Sequence, residues 1–353
     1  RRQRQMCIRD RSLSVAQYGA LGTVTLTAGD AVTLADTGAN LGALTAVEIA
    51  ALEGDGIDVI DASNDALTLN LAQVAALGNV ALTAADSVTI ADTGANIAAM
   101  SAAQIAALAA SGIDAIDASN NTLALTVAQL NALGTVTLTA GDTVTLADTG
   151  ANLGALTAVE IAALAGDGID ALDASDDALV LDLAQYGALG TVTLTSADTV
   201  TLSDTGANLG ALTAVEIAAL AGDGIDGIDA TDDALSLTVA QATSLGTVTI
   251  AAGDTVTIVD TGANIAAMSA VQIAALAASG IDTIDASDDA MNLTVAQASS
   301  LGTVTIEAGD TVTLVDTGAN IAGMSAVQIA ALAASGINTI DASDDALDLD
   351  LAQ

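Results

Sequence analysis

Asp316-Thr317-Gly318-Ala319-Asn320, preceded by the apolar pair Leu314-Val315, is a stretch that could do chemistry. A carboxylate at the end of an apolar strand, with glycine close behind it, can meet a second such carboxylate. At about 3 Å the two cannot both ionise, so they share one proton and can activate water. Carboxylates can also collect a hard cation such as Ca2+, which takes oxygen ligands. The five letters begin at Asp36, Asp92, Asp148, Asp204, Asp260 and Asp316, always 56 residues apart. A second acidic column keeps that interval at Asp61, Asp117, Asp173, Asp229, Asp285 and Asp341. A third lies in a Gly-Asp or Ala-Asp turn, at Asp30, Asp86, Asp142, Asp198, Asp254 and Asp310. A fixed period is the signature of a repeat array. Equivalent residues of stacked repeats lie over one another, so each column is a ladder of like charge. Either salt screens such ladders or cations bridge them, and the first two columns are the candidate Ca2+ ligands.

The motif resembles the catalytic strand of aspartic proteases, the retroviral type above all. That resemblance implies two facing aspartates, one per lobe or subunit, with a glycine-tipped flap and a later apolar-apolar-Gly segment. Here the five letters alone match. Fifty-six residues are too few for such a lobe, nothing corresponds to the flap, and six copies exceed the two that the chemistry uses. The expected role is structural: a strand end whose Asp and Asn bond local backbone, with glycine supplying a positive φ before the next helix.

Other catalysis lacks its parts. Beyond residue 12 there is no His, Lys, Arg or Cys, so hydroxyls have no activating base and zinc has no nitrogen or sulfur ligand. Paired carboxylates could hydrolyse glycosides, yet the chain has two Tyr and no Phe or Trp to stack on a sugar. The sequence reads as a non-enzyme that requires no cofactor, with Ca2+ the one its acidic loops suggest. The secreted β-roll nonapeptide and the EF-hand loop are both absent; Gly54-Asp55-Gly56-Ile57-Asp58 only echoes the former.

Charge restricts the partners. The net charge is −39, and the five basic residues are Arg1, Arg2, Arg4, Arg9 and Arg11. Without cations or aromatic platforms the array has no means to hold nucleic acid, and anionic membrane surfaces repel it. Thr93 to Ile113 carries no charge over 21 residues, long enough to draw a membrane reading. It contains Asn96, Ser101, Gln104 and Gly112 and has no basic flank, so no membrane insertion is expected. Thr-x-Thr runs such as Thr135, Thr137 and Thr139 could form an ice-binding face. Asn79, Ala81, Ala251 and Glu307 interrupt that array, and Thr is simply a good strand residue.

The elements that must position these residues are legible. Thr157-x-x-Glu160 is a capping box, repeated as Thr45/Glu48, Ser101/Gln104, Thr213/Glu216, Ser269/Gln272 and Ser325/Gln328. Gly168 stands where that helix needs a C-terminal cap. A second helix start falls at Ser14, Asn70, Thr126, Asp182, Thr238, Thr294 and Asp350, each followed three residues later by Gln. Between helices, Thr135 to Thr139 and Thr143 to Ala147 alternate as strands around the turn Ala140-Gly141-Asp142. Ile169 to Ala174 and Ala178 to Leu183 form a second pair around Ser175-Asp176-Asp177. The chain is 52% hydrophobic, enough for a packed core. The expected fold is an α/β solenoid of tandem 56-residue repeats, each made of two helix-strand-turn-strand half-repeats of leucine-rich-repeat-like length. The alternative is a wider β-solenoid with one 56-residue coil per turn.

Met6-Cys7-Ile8-Arg9-Asp10-Arg11 resembles the translated end of a sequencing adaptor, so residues 1–12 are set aside as a non-native head. Residues 13–353 read as a single array of six copies, expected to be truncated at both ends. Near-identical acidic copies rich in Ala, Thr, Asp and Gly, without Cys, resemble the extender regions of large secreted or cell-surface bacterial adhesins. The resemblance implies a structural spacer, extracellular or at the cell surface. Its partners would be neighbouring repeats or distal domains of the same longer chain and a cell-surface or extracellular ligand. The rival expectation is a calcium-dependent adhesive or ligand-binding solenoid.

Overall fold

A computed structural model describes residues 10–27 and 29–349. The chain forms two compact units, one running to Ser175 together with Leu189–Thr195, the other Asp176–Ala188 together with the chain from Ser196 onward. Both are built from repeated helix-strand units with parallel sheets, and neither contains a closed barrel among the described residues.

One sheet of the first unit shows the plan. Thr122–Leu125, Thr143–Asp148, Ala171–Ala174 and Thr193–Leu194 lie side by side. Thr122 faces Thr143, Thr145 faces Ala171, and Ala171 faces Thr193, all in parallel register. The chain therefore returns beside itself every 21 to 26 residues, as the backbone-to-carboxylate bonds between coils also record. Parallel neighbours require a crossover connection, and short helices make it. The second unit repeats the plan with Ala178–Leu181, Thr199–Asp204, Gly227–Ala230 and Thr249–Ile250.

Alternation fills the core. In Thr143–Asp148, Val144 and Leu146 are buried while Thr143 faces out. Leu123, Leu125, Leu172 and Ala174 meet them from neighbouring strands, and Leu153, Ile161 and Leu164 close the core from the helices. Each fully buried Leu or Ile is worth about 1.5–3 kcal/mol, and none of these coils could gain it without its neighbour.

Three expectations are corrected. The strands on either side of Ser175-Asp176-Asp177 do not pair with each other: Ala171–Ala174 and Ala178–Leu181 belong to different sheets and different units. The turn passes the chain on instead of folding it back, because each strand finds a parallel partner one coil away. Thr135 to Thr139 contributes only the two-residue strand Thr137–Leu138. The segment after Asp148 is a helix of its own, Gly150–Gly154, where a strand end leading to the next helix was expected.

The glycine of Asp-Thr-Gly is the fourth correction. It has no positive φ. A Cβ on Gly38, Gly94, Gly206 or Gly262 would collide with the carbonyl oxygen of Ala66, Thr122, Ala234 or Ala290 on the next coil. Glycine is there so that two backbones can touch.

The strand Asp10–Leu13 pairs with Ala31–Asp36, so pairing extends into residues 10–12 of the segment set aside as a head. The uncharged stretch from Thr93 is broken into Gly94–Ala98, Ala102–Ala106 and a 3-10 turn at Ala109–Ser111. No helix among the described residues is long and apolar enough to cross a membrane.

Candidate functional site: the carboxylate columns

The helix caps form first, from local sequence. All six Thr/Ser-x-x-Glu/Gln boxes close as expected, for example with Thr157 N–H donating to Glu160 Oε2 at 2.7 Å. The second series closes too at Asn70/Gln73, Thr126/Gln129, Thr238/Gln241 and Thr294/Gln297. Asp182 and Gln185 exchange the same two bonds at 2.7 Å each. Asp350 lies outside the described residues.

The glutamine of this second series has a further task. Gln73 Oε1 accepts from Asn70 N–H, while its Nε2 donates to the carbonyls of Gly42 (2.8 Å) and Leu44 (2.6 Å). Those carbonyls end the helix of the preceding coil, where acceptors are left over. Gln129, Gln241 and Gln297 do the same. A carboxylate there would face carbonyl oxygens, which explains Gln in every copy. The other box, exposed and needing only an acceptor, takes either Glu or Gln.

The Asp-Thr-Gly column is consumed by backbone. Asp148 Oδ1 accepts from Thr149 N–H (2.8 Å) and Asn152 Nδ2 (2.7 Å). Its Oδ2 accepts from Val127 N–H at 3.1 Å, the first helical residue of the preceding coil. Asp36, Asp92, Asp204, Asp260 and Asp316 make the equivalent bonds. Burial pulls the Asp92, Asp148 and Asp204 carboxyls upward, but the Asn, Thr and helix-start donors outweigh it and hold them below the usual range. In Asp36 and Asp316 the Asn bond is the leading cause of the same lowering.

Two further columns, missed at the sequence level, work alike. Asp170 N–H donates to Val144 O (2.8 Å), and Val144 N–H donates back to Asp170 Oδ2 (2.7 Å). Asp58, Asp114, Asp226 and Asp282 repeat the side-chain bond, and Asn338 substitutes for Asp in the last copy at 2.6 Å. Asn64, Asn120, Asp232, Asp288 and Asp344 accept from the Gly N–H of Asp-Thr-Gly on the preceding coil. Free exchange of Asn and Asp shows that the fold needs a short acceptor, not a charge. That interchange between copies was the available signal.

The column of Asp61, Asp117, Asp173, Asp229 and Asp285 is half-buried, and Asp341 is exposed. Asp173 Oδ1 accepts from Thr195 Oγ1 (3.0 Å), and Asp229 Oδ2 from Ser203 Oγ (2.9 Å). Among the described residues, no three acidic, His or Cys side chains converge to a metal's coordination distance. Threonine hydroxyls are also engaged: Thr139 Oγ1 donates to Ile116 O at 2.7 Å.

The Gly-Asp column is the unusual one. Asp86 is 6% exposed, and its Oδ2 accepts from Ala62 N–H at 2.8 Å. Its Oδ1 is buried with no hydrogen-bond partner, as are those of Asp142, Asp254 and Asp310. Burial pushes the carboxyls of Asp86, Asp254 and Asp310 up, against the pull of the one backbone bond, and neighbouring carboxylates add to the rise. An unmatched buried acceptor is costly, so these are the polar atoms in the fold that a donor would most stabilise.

No protein-family model matches the sequence, and no curated protein matches it.

Proposed function

We propose that the chain is a structural, non-catalytic spacer or scaffold segment of a large secreted or cell-surface repeat protein. Its fold in this reading is the α/β solenoid of tandem 56-residue repeats, two coils to a repeat. One observation carries the proposal: the Asp-Thr-Gly column, which invites a catalytic or metal reading, and the Asp170 and Asp232 columns beside it spend their side-chain oxygens on backbone N–H groups of the neighbouring coil. Side chains committed to joining coils build a scaffold. The pairing offsets of 21 to 26 residues support two coils per repeat. At a strand spacing of about 4.8 Å, adding one 56-residue unit then lengthens the particle by about 10 Å, against about 5 Å for a single wide coil. X-ray scattering on chains differing by one unit measures this. Antibody labelling of intact native cells tests the surface location, and labelling only after lysis would overturn it.

The second reading, a calcium-dependent adhesive or ligand-binding solenoid, draws on the unmatched Oδ1 atoms of the Asp86 column. Its test is melting in millimolar Ca2+ against chelator, and equal temperatures would exclude it.

A further inference from the structure

Three copies of the repeat close the turn after a helix with Asp-Gly: Asp55-Gly56, Asp167-Gly168 and Asp223-Gly224. The other copies have Ser111, Ser279 and Ser335 before that glycine. All three aspartates are exposed, and the glycines take φ of 85°, 86° and 90°. A glycine has no Cβ to shield its nitrogen from the carboxyl before it. The three nitrogens are held alike and weakly. Gly56, Gly168 and Gly224 N–H donate to the carbonyls of Glu53, Ala165 and Ala221 at 3.1, 3.3 and 3.4 Å, long for such bonds.

The carboxyls are not held alike. The Tyr18 and Tyr186 hydroxyls, from 37 residues earlier in the chain, donate to Asp55 Oδ2 and Asp223 Oδ2 at 2.6 Å each. The equivalent of those tyrosines before Asp167 is Leu130, which has no hydroxyl. Among the described residues nothing donates to the Asp167 carboxyl.

We propose that Asp167-Gly168 is a site of spontaneous isoaspartate formation, and that Tyr18 and Tyr186 protect the other two Asp-Gly pairs from it. The Gly168 nitrogen bonds to Asp167 Cγ. The amide hydrogen and the hydroxyl of the protonated carboxyl leave as water, closing a five-membered imide. Water then adds to the main-chain carbonyl carbon of Asp167 and breaks its bond to the Gly168 nitrogen. The chain now runs through the side-chain carbons, and the former carbonyl is a free carboxylate. Water is the only co-reactant, and net charge and mass return to their starting values. At Asp55 and Asp223 the same attack must first break the tyrosine bond, and a bond to an ionised group is a strong one. The added methylene falls beside Gly168, just ahead of two bonds that hold the coil. Ile169 N–H donates to Leu164 O at 2.9 Å, and Asp170 N–H donates to Val144 O of the preceding coil at 2.8 Å. Isoaspartate therefore loosens one joint between coils. This chemistry is independent of the spacer reading.

The test is incubation of the full chain for weeks at neutral pH in water enriched in heavy oxygen. It is read by mass spectrometry after digestion with an endoprotease that cuts before aspartate and leaves isoaspartate uncut. Heavy oxygen and an uncut bond before Asp167 are expected, about three- to tenfold more than at Asp55 or Asp223. Leu130→Tyr with Asn131→Gly gives this coil the Tyr-Gly pair of Tyr18-Gly19 and Tyr186-Gly187, a combination the fold already accepts. It should lower the yield at Asp167 to that of Asp55. Tyr186→Leu with Gly187→Asn is the reverse exchange; it should raise Asp223 to the level of Asp167 and leave Asp55 unchanged. The local sequence Gly-Asp-Gly-Ile-Asp is the same at all three sites, so in urea they should react at one rate. Equal yields at the three sites in the folded chain, or no isoaspartate at Asp167, would overturn the proposal. So would unequal rates in urea, or a yield at Asp167 that the Tyr-Gly pair leaves unmoved.

Discussion

The two glutamine or glutamate positions that cap helices differ in what they touch, and that difference is testable at single residues. Gln73 is buried, accepts at Oε1 and donates twice through Nε2. Gln73→Glu keeps the cap but turns a carboxylate oxygen on two carbonyls, and should cost about 1–3 kcal/mol in urea unfolding. Glu160 only accepts, from Thr157, so Glu160→Gln should stay within about 0.5 kcal/mol of the parent. The tyrosines report on the acidic surface. Tyr18 and Tyr186 donate to Asp55 and Asp223 at 2.6 Å each. Partial burial, then the carboxylate partner, pushes both phenols up to about 12. Ultraviolet titration should find tyrosinate forming near that value and not near 10. Because the folded pKa is the higher one, the stabilisation is full below about 10 and disappears as pH rises through about 12.

At the scale of the element, helices of four to seven residues are too short to persist alone in water. Caps and contact with the next coil hold them. One such close contact is the helix Gly94–Ala98 against the Thr122 carbonyl. Gly94→Ala must push the coils apart and should cost about 2 kcal/mol or more. Gly141 has open space and no positive φ, and Ala85 and Ala197 occupy the equivalent place. Gly141→Ala should therefore be neutral or stabilise by up to about 1 kcal/mol. Thermal melts of the two variants make the comparison, and equal losses would refute the close-approach argument.

For the whole molecule the decisive property is a net charge of −39 with almost no cations to offset it. The melting temperature should rise between about 10 mM and 0.5 M NaCl, as the Debye length falls from about 30 Å to under 5 Å. Acid acts through two opposed columns. Asp92 is held below its ordinary value, so its contribution is present above about pH 4 and is lost as pH falls. Asp86 is raised, so its carboxyl favours the folded state once protonated, fully so below about pH 4. The deficit of Asp92→Asn should thus shrink on acidification. Relative to the parent, Asp86→Asn should lose ground as pH falls from 7 to 4. Melts of both variants across that range check the two signs.

The sequence by itself determined whatever rests on neighbours three to five residues apart. The capping boxes, the glycine caps at Gly168 and its equivalents, and the alternation of Val144 and Leu146 were legible because their partners lie within one turn or one strand. Only the tertiary structure decided what each acidic column does. Asp148, Asp170 and Asp232 find their N–H donors 21 or 26 residues away, and local pattern says nothing about which backbone group a coil leaves unpaired. The same distance hid why Gly94 must be glycine, why strands flanking one turn join different sheets, and why Asp86 is buried with an oxygen unmatched. Each of these depends on the surface of the adjacent coil, which exists only once the chain has stacked.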